Sequence, residues 1–391
     1  MLEYGRFFTK FEVLNIIANM VEDKKEGLAI EEENQDVAST DRAYDPNYIR
    51  VDQQNVNLGS LLEMMEYDEI NLMPEFQRLG GLWTEVQQSQ LIESVLLGLP
   101  LPSFYFGIDA STDKWVVVDG LQRLSTFKRF WIDKSLKLSG LEFLKSYEGM
   151  GVDDLPRADV RKISGFKVNL YVIDKATPKS VQFLIFKRIN TTGLTLTAQE
   201  IRHALHQGIP AAFLSDLAQL PEFLAATDHK VPTDRQQDRE FANRFLAFYM
   251  LGYQDRYPGE LDAFLNDALC ALEETTEEER QSLKAAFRRA MEVCYNLFDN
   301  DAFRKRYSLE EARRPISKAI FDAVSVNIAW RSLAEQDVLV DRRDVLRMKL
   351  MQLFADDNAF NQAVSTSTAK KSSVIKRFEA IKLLIEETLA L

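Results

Sequence analysis

Strand signals in this chain stop at one place, and that limits what it can fold into. The runs SFYFGI (103–108), WVVVD (115–119) and FKVNLYVID (166–174) are short and rich in β-branched and aromatic residues. Nothing of that kind follows the T-x-x-E capping box formed by Thr197 and Glu200. Beyond it lie EFANRFLAFYMLGY, ELDAFLNDALCALEE, EERQSLKAAFRRAMEVCYNLF, PISKAIFDAVSVNIAWRSLA, RDVLRMKLMQLF and VIKRFEAIKLLIEETLAL, all with apolar stripes at helical spacing. With 25 phenylalanines in 391 residues these helices can build a core of their own. No fixed-period repeat makes them a solenoid. The pattern predicts an α+β fold, a mixed domain over residues 46–207, followed by an all-α domain over residues 208–391.

Local signals place elements inside the mixed domain. Thr84 and Gln87 form a T-x-x-Q capping box for a helix over 84–97, with Val86, Leu91, Val95 and Leu96 as its apolar face and Gly98 as its stop. SFYFGI and WVVVD should pair as a hairpin across DASTDK. A helix should start near Gly120, with Leu121, Leu124, Phe127 and Trp131 on one face. SVQFLIFKRIN is expected to be another. Ahead of the domain, residues 1–45 read as an amphipathic N-terminal helix followed by a polar, acidic linker over 22–45.

Composition excludes several classes. No run of about 18 apolar residues could cross a bilayer, and the N-terminal apolar residues are interrupted by Lys10, Glu12 and Asn15 without a small-residue cleavage site, so a cytoplasmic protein is expected. Cys270 and Cys294 belong to no C-x-x-C pair and read as buried thiols. The three histidines, His203, His206 and His229, are too few for a zinc site, and the first two read as a surface pair near a helix end. The chain has 48 basic and 60 acidic residues, a net charge of −12. Residues 1–70 hold 16 acidic and 6 basic groups, a net of −10, whereas residues 115–207 hold 15 basic and 9 acidic, a net of +6. An anionic ligand would be drawn to that second region first.

Three stretches carry residues suited to chemistry. In WVVVDGLQRLSTF (115–127) a strand ends at Asp119 and Gly120 and passes straight into a helix. Such a junction offers backbone N–H groups and the positive end of a helix dipole to a phosphate. Gly120 would let a ligand approach the backbone, Arg123 could add a bidentate phosphate contact, and Asp119 could bind a metal ion or orient a water. A plain strand-to-helix turn, with Asp119 capping and Arg123 pairing with it, is the competing reading. PEFQRLGGLW (74–83) places Gln77 and Arg78, a hydrogen-bonding amide and a phosphate-binding guanidinium, before a two-glycine turn, with Trp83 read as a core anchor. FKRINTTGLTLTAQEIRHAL (186–205) sets Lys187, Arg188 and Asn190 beside the Gly193 turn, then Glu200 and Arg202 on a helix. No P-loop, Rossmann fingerprint, G-x-S-x-G elbow or H-E-x-x-H helix is present.

In order and spacing these three motifs resemble the N-terminal, GmrS-like half of GmrSD-type modification-dependent restriction enzymes, over about residues 50–207. The run from Thr366 through Lys370, Lys371 and Arg377 is similar to free-standing members. The resemblance implies a fold related to the ParB and sulfiredoxin group, binding of a nucleoside triphosphate (ATP, GTP or CTP) with Mg2+, and hydrolysis of it in defence against phage or other foreign DNA. On the residues themselves, Gln77, Arg78, Gly120, Arg123, Lys187, Arg188 and Asn190 are expected to bind the nucleotide, with Arg78 and Arg123 on its phosphates, and Asp119, Gln122 and Arg123 to carry catalysis, with Asp119 as the metal ligand. The family pattern Asp-Gly-Gln-Gln-Arg has Leu121 here in place of its first glutamine, so hydrolysis is less expected than binding. Many members carry a C-terminal His-Asn-His nuclease; the helical region offers no such motif, so a separate nuclease or effector partner is expected, and the chain could form a homo-oligomer. A second reading is a non-catalytic DNA-binding or adaptor protein. A third, a metal-dependent nuclease, is weakest because Asp119 is a single carboxylate.

Overall fold

The computed structural model describes residues 29–31, 33, 49–72, 83–109, 112–189, 196–308 and 310–391. The expected N-terminal helix, Gln77, Arg78 and Asn190 lie outside the described residues. Two compact units emerge, one over Asp41–Ala211 and the other over Ala212–Leu391 together with the described residues near position 30.

The first unit is α+β. Its elements run β1 (Val51–Asn57), α1 (Leu58–Glu66), β2 (Ile70–Asn71), α2 (Glu85–Leu97), β3 (Phe104–Ile108), β4 (Trp115–Asp119), α3 (Leu121–Phe127), α4 (Arg157–Ser164), β5 (Lys167–Ile173), α5 (Lys179–Ile189) and α6 (Ala198–Leu205). A π-helical turn, Lys128–Ile132, continues α3. The strands form one sheet in the order β1-β5-β3-β4-β2. The expected hairpin is the antiparallel pair β3 and β4, while β3 runs parallel to β5 and β2 parallel to β4.

The valine run of β4 explains where the core sits. Successive side chains of a strand point to opposite faces. Val117 joins Phe104, Phe106 and Leu170 in a core closed by α1, α2 and α3. Val118 packs on the other face with Ile173, Phe183, Phe186, Ile201 and Leu205, the last four from α5 and α6. A strand covered on both sides reads as an unbroken apolar run, as this one does. Both capping boxes form: Gln87 N donates to Thr84 Oγ1, and Glu200 N to Thr197 Oγ1. Gly98 closes α2 in the left-handed conformation.

The second unit is helical: α7 (Ile209–Ala218), α8 (Pro221–Ala226), α9 (Gln237–Leu251), α10 (Leu261–Glu273), α11 (Glu277–Phe298), α12 (Lys318–Ala329), α13 (Leu333–Asp341), α14 (Arg343–Asp356), α15 (Asn358–Ala363) and α16 (Lys371–Leu389). Its phenylalanines meet in edge-to-face and tilted contacts such as Phe241 on Phe321 at 4.8 Å and Phe245 on Phe287 at 4.9 Å.

Several local expectations need correcting. Within the acidic stretch 22–45, Ile30 is buried and bridges Ile316, and Glu31 N donates to Ile316 O at 2.8 Å. The Glu33 side chain is 8% exposed against a fully buried Arg244. One apolar residue and one well-placed carboxylate thus dock part of the expected linker. Cys294 is buried, which pushes its thiol pKa up, but Cys270 is exposed. His206, the C-cap of α6, is buried rather than on the surface. Val86, assigned to the apolar face of α2, is exposed, and Glu93 is buried instead, accepting the backbone N–H groups of Glu142, Phe143 and Leu144.

Candidate functional site

Described residues from each of the three motifs lie near the C-terminal end of β4. Trp83, the last residue of the first motif, donates its backbone N–H to Gln122 Oε1 at 3.0 Å, and its carbonyl accepts from Gln88 Nε2 at 2.8 Å. Gln88 in turn receives Arg129 Nη1 at 2.7 Å. On the opposite face of the strand, Phe186, Ile201 and Leu205 of the third motif pack with Val118. The segments bearing Gln77 and Arg78, and Asn190, therefore connect in sequence to residues anchored around this strand end.

At the turn itself the chain leaves β4 at Asp119, crosses Gly120 with φ +103°, and enters α3 at Leu121. A Cβ on Gly120 would lie 2.4 Å from Phe104 Cδ1 and 3.3 Å from Arg123 Nη2. The backbone angle and the buried ring of Phe104 both require glycine at this position.

Arg123 also differs from expectation. Its side chain is 9% exposed and pairs through Nη2 with Asp119 Oδ2 at 2.9 Å. The same nitrogen donates to Ser103 O at 3.2 Å, and Nη1 donates to Pro102 O. The guanidinium carbon sits 4.3 Å over the Phe104 ring. Burial lowers the Arg123 pKa, with Asp119 opposing that shift. The terminal nitrogens expected on a phosphate are engaged, because two carbonyls just ahead of β3 point at the junction and a fork-shaped donor satisfies both. Arg123 is therefore a residue that shapes the turn and orients Asp119. Replacing Arg123 with alanine takes the donor from two partly buried carbonyls and one carboxylate, and the expected loss in urea unfolding is about 2 kcal/mol. A change under about 0.5 kcal/mol, the size typical of a surface substitution, would show that the turn does not depend on these bonds.

The remaining candidates divide. Asp119 keeps a side chain 31% exposed, and its Oδ1 has no hydrogen bond among the described residues. Gln122 uses its amide oxygen on Trp83. Leu121 is half-buried against the core, as its place on the apolar stripe suggested. Lys187 and Arg188 are exposed in the last turn of α5. Glu200 caps Thr197, and buried Arg202 donates Nε to Gln199 Oε1 at 2.9 Å. No side chain caps the start of α3.

Among the described residues no group of three or more His, Cys, Asp or Glu side chains is placed to hold a metal. At the turn itself Asp119 is the carboxylate that could contribute a ligand to Mg2+, an ion that usually takes its remaining ligands from water and phosphate oxygens. No helix among the described residues is long and apolar enough to cross a membrane.

Residues 58–207 match the family model of the GmrSD restriction endonuclease N-terminal domain, so this segment is a GmrSD-type N-terminal domain. The match holds all of α1 through α6 and four of the five strands, and it includes the whole Asp119–Arg123 turn. No curated protein and no solved structure matches the chain.

Proposed function

We propose that this chain, built around a GmrSD-type N-terminal domain, is the nucleotide-binding component of a prokaryotic restriction or anti-phage defence system. In this reading the α+β unit binds a nucleoside triphosphate with Mg2+ at the turn after β4. The observation that supports it is the turn after β4 itself, where Asp119 stays partly exposed beside a helix start that no side chain caps. Uncapped N–H groups and the positive end of a helix favour phosphate oxygens.

Each residue then has a distinct task. Asp119 would hold Mg2+ through the oxygen that Arg123 leaves open. Arg78 would hold phosphates, Gln77 would hydrogen-bond a base or a sugar, and Lys187, Arg188 and Asn190 would close over the ligand. Arg123 and Gln122 position the turn, as their bonds to Asp119, Pro102, Ser103 and Trp83 indicate. Leu121 presents an apolar side chain to the core where an amide could have oriented a water, so binding is favoured over hydrolysis. DNA cleavage would fall to a separate nuclease or effector.

Calorimetric titration of ATP, GTP and CTP with Mg2+ into the full chain tests this. Wild-type protein should bind at least one triphosphate, and Asp119→Asn should weaken that binding at least tenfold, a loss of about 1.4 kcal/mol. Equal affinity in wild type and Asp119→Asn contradicts the assignment. DNA binding that needs no nucleotide and falls steeply with salt would instead support the adaptor reading.

A further inference from the structure

We propose that Tyr105 and Tyr171 form the platform on which the base of the bound nucleotide stacks, and that Asn55 and Asn169 read the edge of that base. The proposal rests on the reading above, which puts the phosphates at Asp119, and it adds the part of the site that tells a nucleotide from a bare polyphosphate.

Register across the sheet places these residues together. Tyr171 of β5 lies beside Tyr105 of β3, and Tyr105 lies across from Asp119 of β4. One row therefore runs Tyr171, Tyr105, Asp119, on strands spaced about 4.8 Å apart. The two rings stack with centroids 5.0 Å apart and planes 12° from parallel, so both stand on one face of the sheet. The pairing of β3 with β4 shifts register between Tyr105 and Phe106, an irregularity of the kind that turns the end of a strand, here where Asp119 stands. The Tyr105 phenol is also within electrostatic reach of Arg123, the ion-pair partner of Asp119.

The cores do not account for the pair. Tyr105 packs against the Val118 cluster, but Tyr171 belongs to none of the apolar clusters among the described residues. Both side chains are half-buried, and neither hydroxyl makes a hydrogen bond among the described residues or is sealed from solvent. Aromatic side chains on strands ordinarily contribute through burial, and a buried tyrosine hydroxyl ordinarily finds a partner. A stacked pair that does neither presents ring surface to a planar ligand, and every base has a face that can join such a stack.

A polar wing of sheet adjoins the pair. Residues 167–169 of β5 pair with β1 alone, because β3 begins opposite Leu170. Side chains two positions apart on a strand share a face at a spacing of about 6.6 Å, so Asn169 stands next to Tyr171, and Asn55 lies across from Asn169. Asn55 Nδ2 donates to Asn169 Oδ1 at 2.8 Å. That bond leaves Asn55 Oδ1 and Asn169 Nδ2, an acceptor and a donor, side by side on two exposed residues. The hydrogen-bonding edge of a base carries the complementary donor and acceptor. Asparagine is depleted in strands, so a facing pair of them on an exposed surface points to recognition rather than to sheet formation.

The test titrates Mg2+ with ATP, GTP or CTP, and separately Mg2+ with inorganic tripolyphosphate, into the full chain by calorimetry. Tyr171→Leu should weaken the best-bound triphosphate by about fivefold or more and leave tripolyphosphate within about twofold, whereas Asp119→Asn should weaken both. Tyr171→Phe keeps the ring and should keep the affinity, which separates stacking from an effect on folding. Weakening by Asp119→Asn but not by Tyr171→Leu overturns the platform and spares the phosphate reading; the reverse pattern supports the platform and overturns the phosphate reading. Should no triphosphate bind, the phosphate reading fails, and saturation-transfer NMR with adenosine, guanosine and cytidine decides for the platform. Transfer to base protons that disappears in Tyr171→Leu supports it, and no transfer overturns it.

Discussion

Gly120→Ala is expected to destabilise the α+β unit by about 2 to 5 kcal/mol in urea unfolding. The left-handed conformation at φ +103° costs an L-residue roughly 1 to 2 kcal/mol. The new methyl would also sit 2.4 Å from Phe104 Cδ1. Phe104 is fully buried between β3 and the core helices, so its ring cannot swing aside, and overpacking of that kind adds about 1 to 3 kcal/mol. Because Arg123 stacks on the same ring, the variant should also disturb the orientation of Asp119. A stability within 0.5 kcal/mol of wild type, about the scatter of neutral surface changes, would mean that the turn differs from the one described.

Asp322→Ala should be comparably severe in the helical unit. Asp322 is fully buried and accepts Arg244 Nε at 2.9 Å, Arg244 Nη2 at 2.6 Å and Arg377 Nη2 at 3.1 Å. Its removal leaves two buried guanidiniums with the carboxylates of Glu33 and, at 3.7 Å from Arg244, Glu240, and breaking a buried pair in this way typically costs about 3 to 5 kcal/mol. The acid limb of the same cluster has a defined sign. Burial raises the Glu33 pKa, but Arg244, Lys318 and Arg377 more than offset that and hold it at about 2, below its ordinary 4.5. A lowered folded-state pKa means that the stabilisation is complete above pH 4.5 and is lost as pH falls toward 2. Unfolding of the helical unit, followed from pH 6 to 2, should therefore lose stability in that window, and Glu33→Gln should flatten this part of the profile. An Asp322→Ala protein as stable as wild type would contradict the cluster.

Much of this fold could be read from local patterns, because the features that announce it are local. A capping box such as Thr84 with Gln87 spans four positions, and the apolar run of β4 lies within five. What the sequence hid depends on distant partners. β1 reads VDQQNVN, a polar edge strand whose pairing comes from β5 more than a hundred positions away. β2 has two residues, too few to show any period. At the site, Asp119 and Arg123 were identifiable as an i, i+4 pair, but the engagement of Arg123 follows from the carbonyls of Pro102 and Ser103, about twenty positions upstream, which no motif announces. Arg244 has Glu240 four positions before it at 3.7 Å, but the carboxylate that joins Arg244 to Arg377, Asp322, lies 78 and 55 positions away.

Amide hydrogen exchange of the full chain, with and without Mg2+ and each of ATP, GTP and CTP, tests the central claim most directly. The account predicts that at least one triphosphate slows exchange across residues 119–126, at the start of α3. Unchanged exchange there with all three at saturation, or slowing confined to the helical unit, would contradict it.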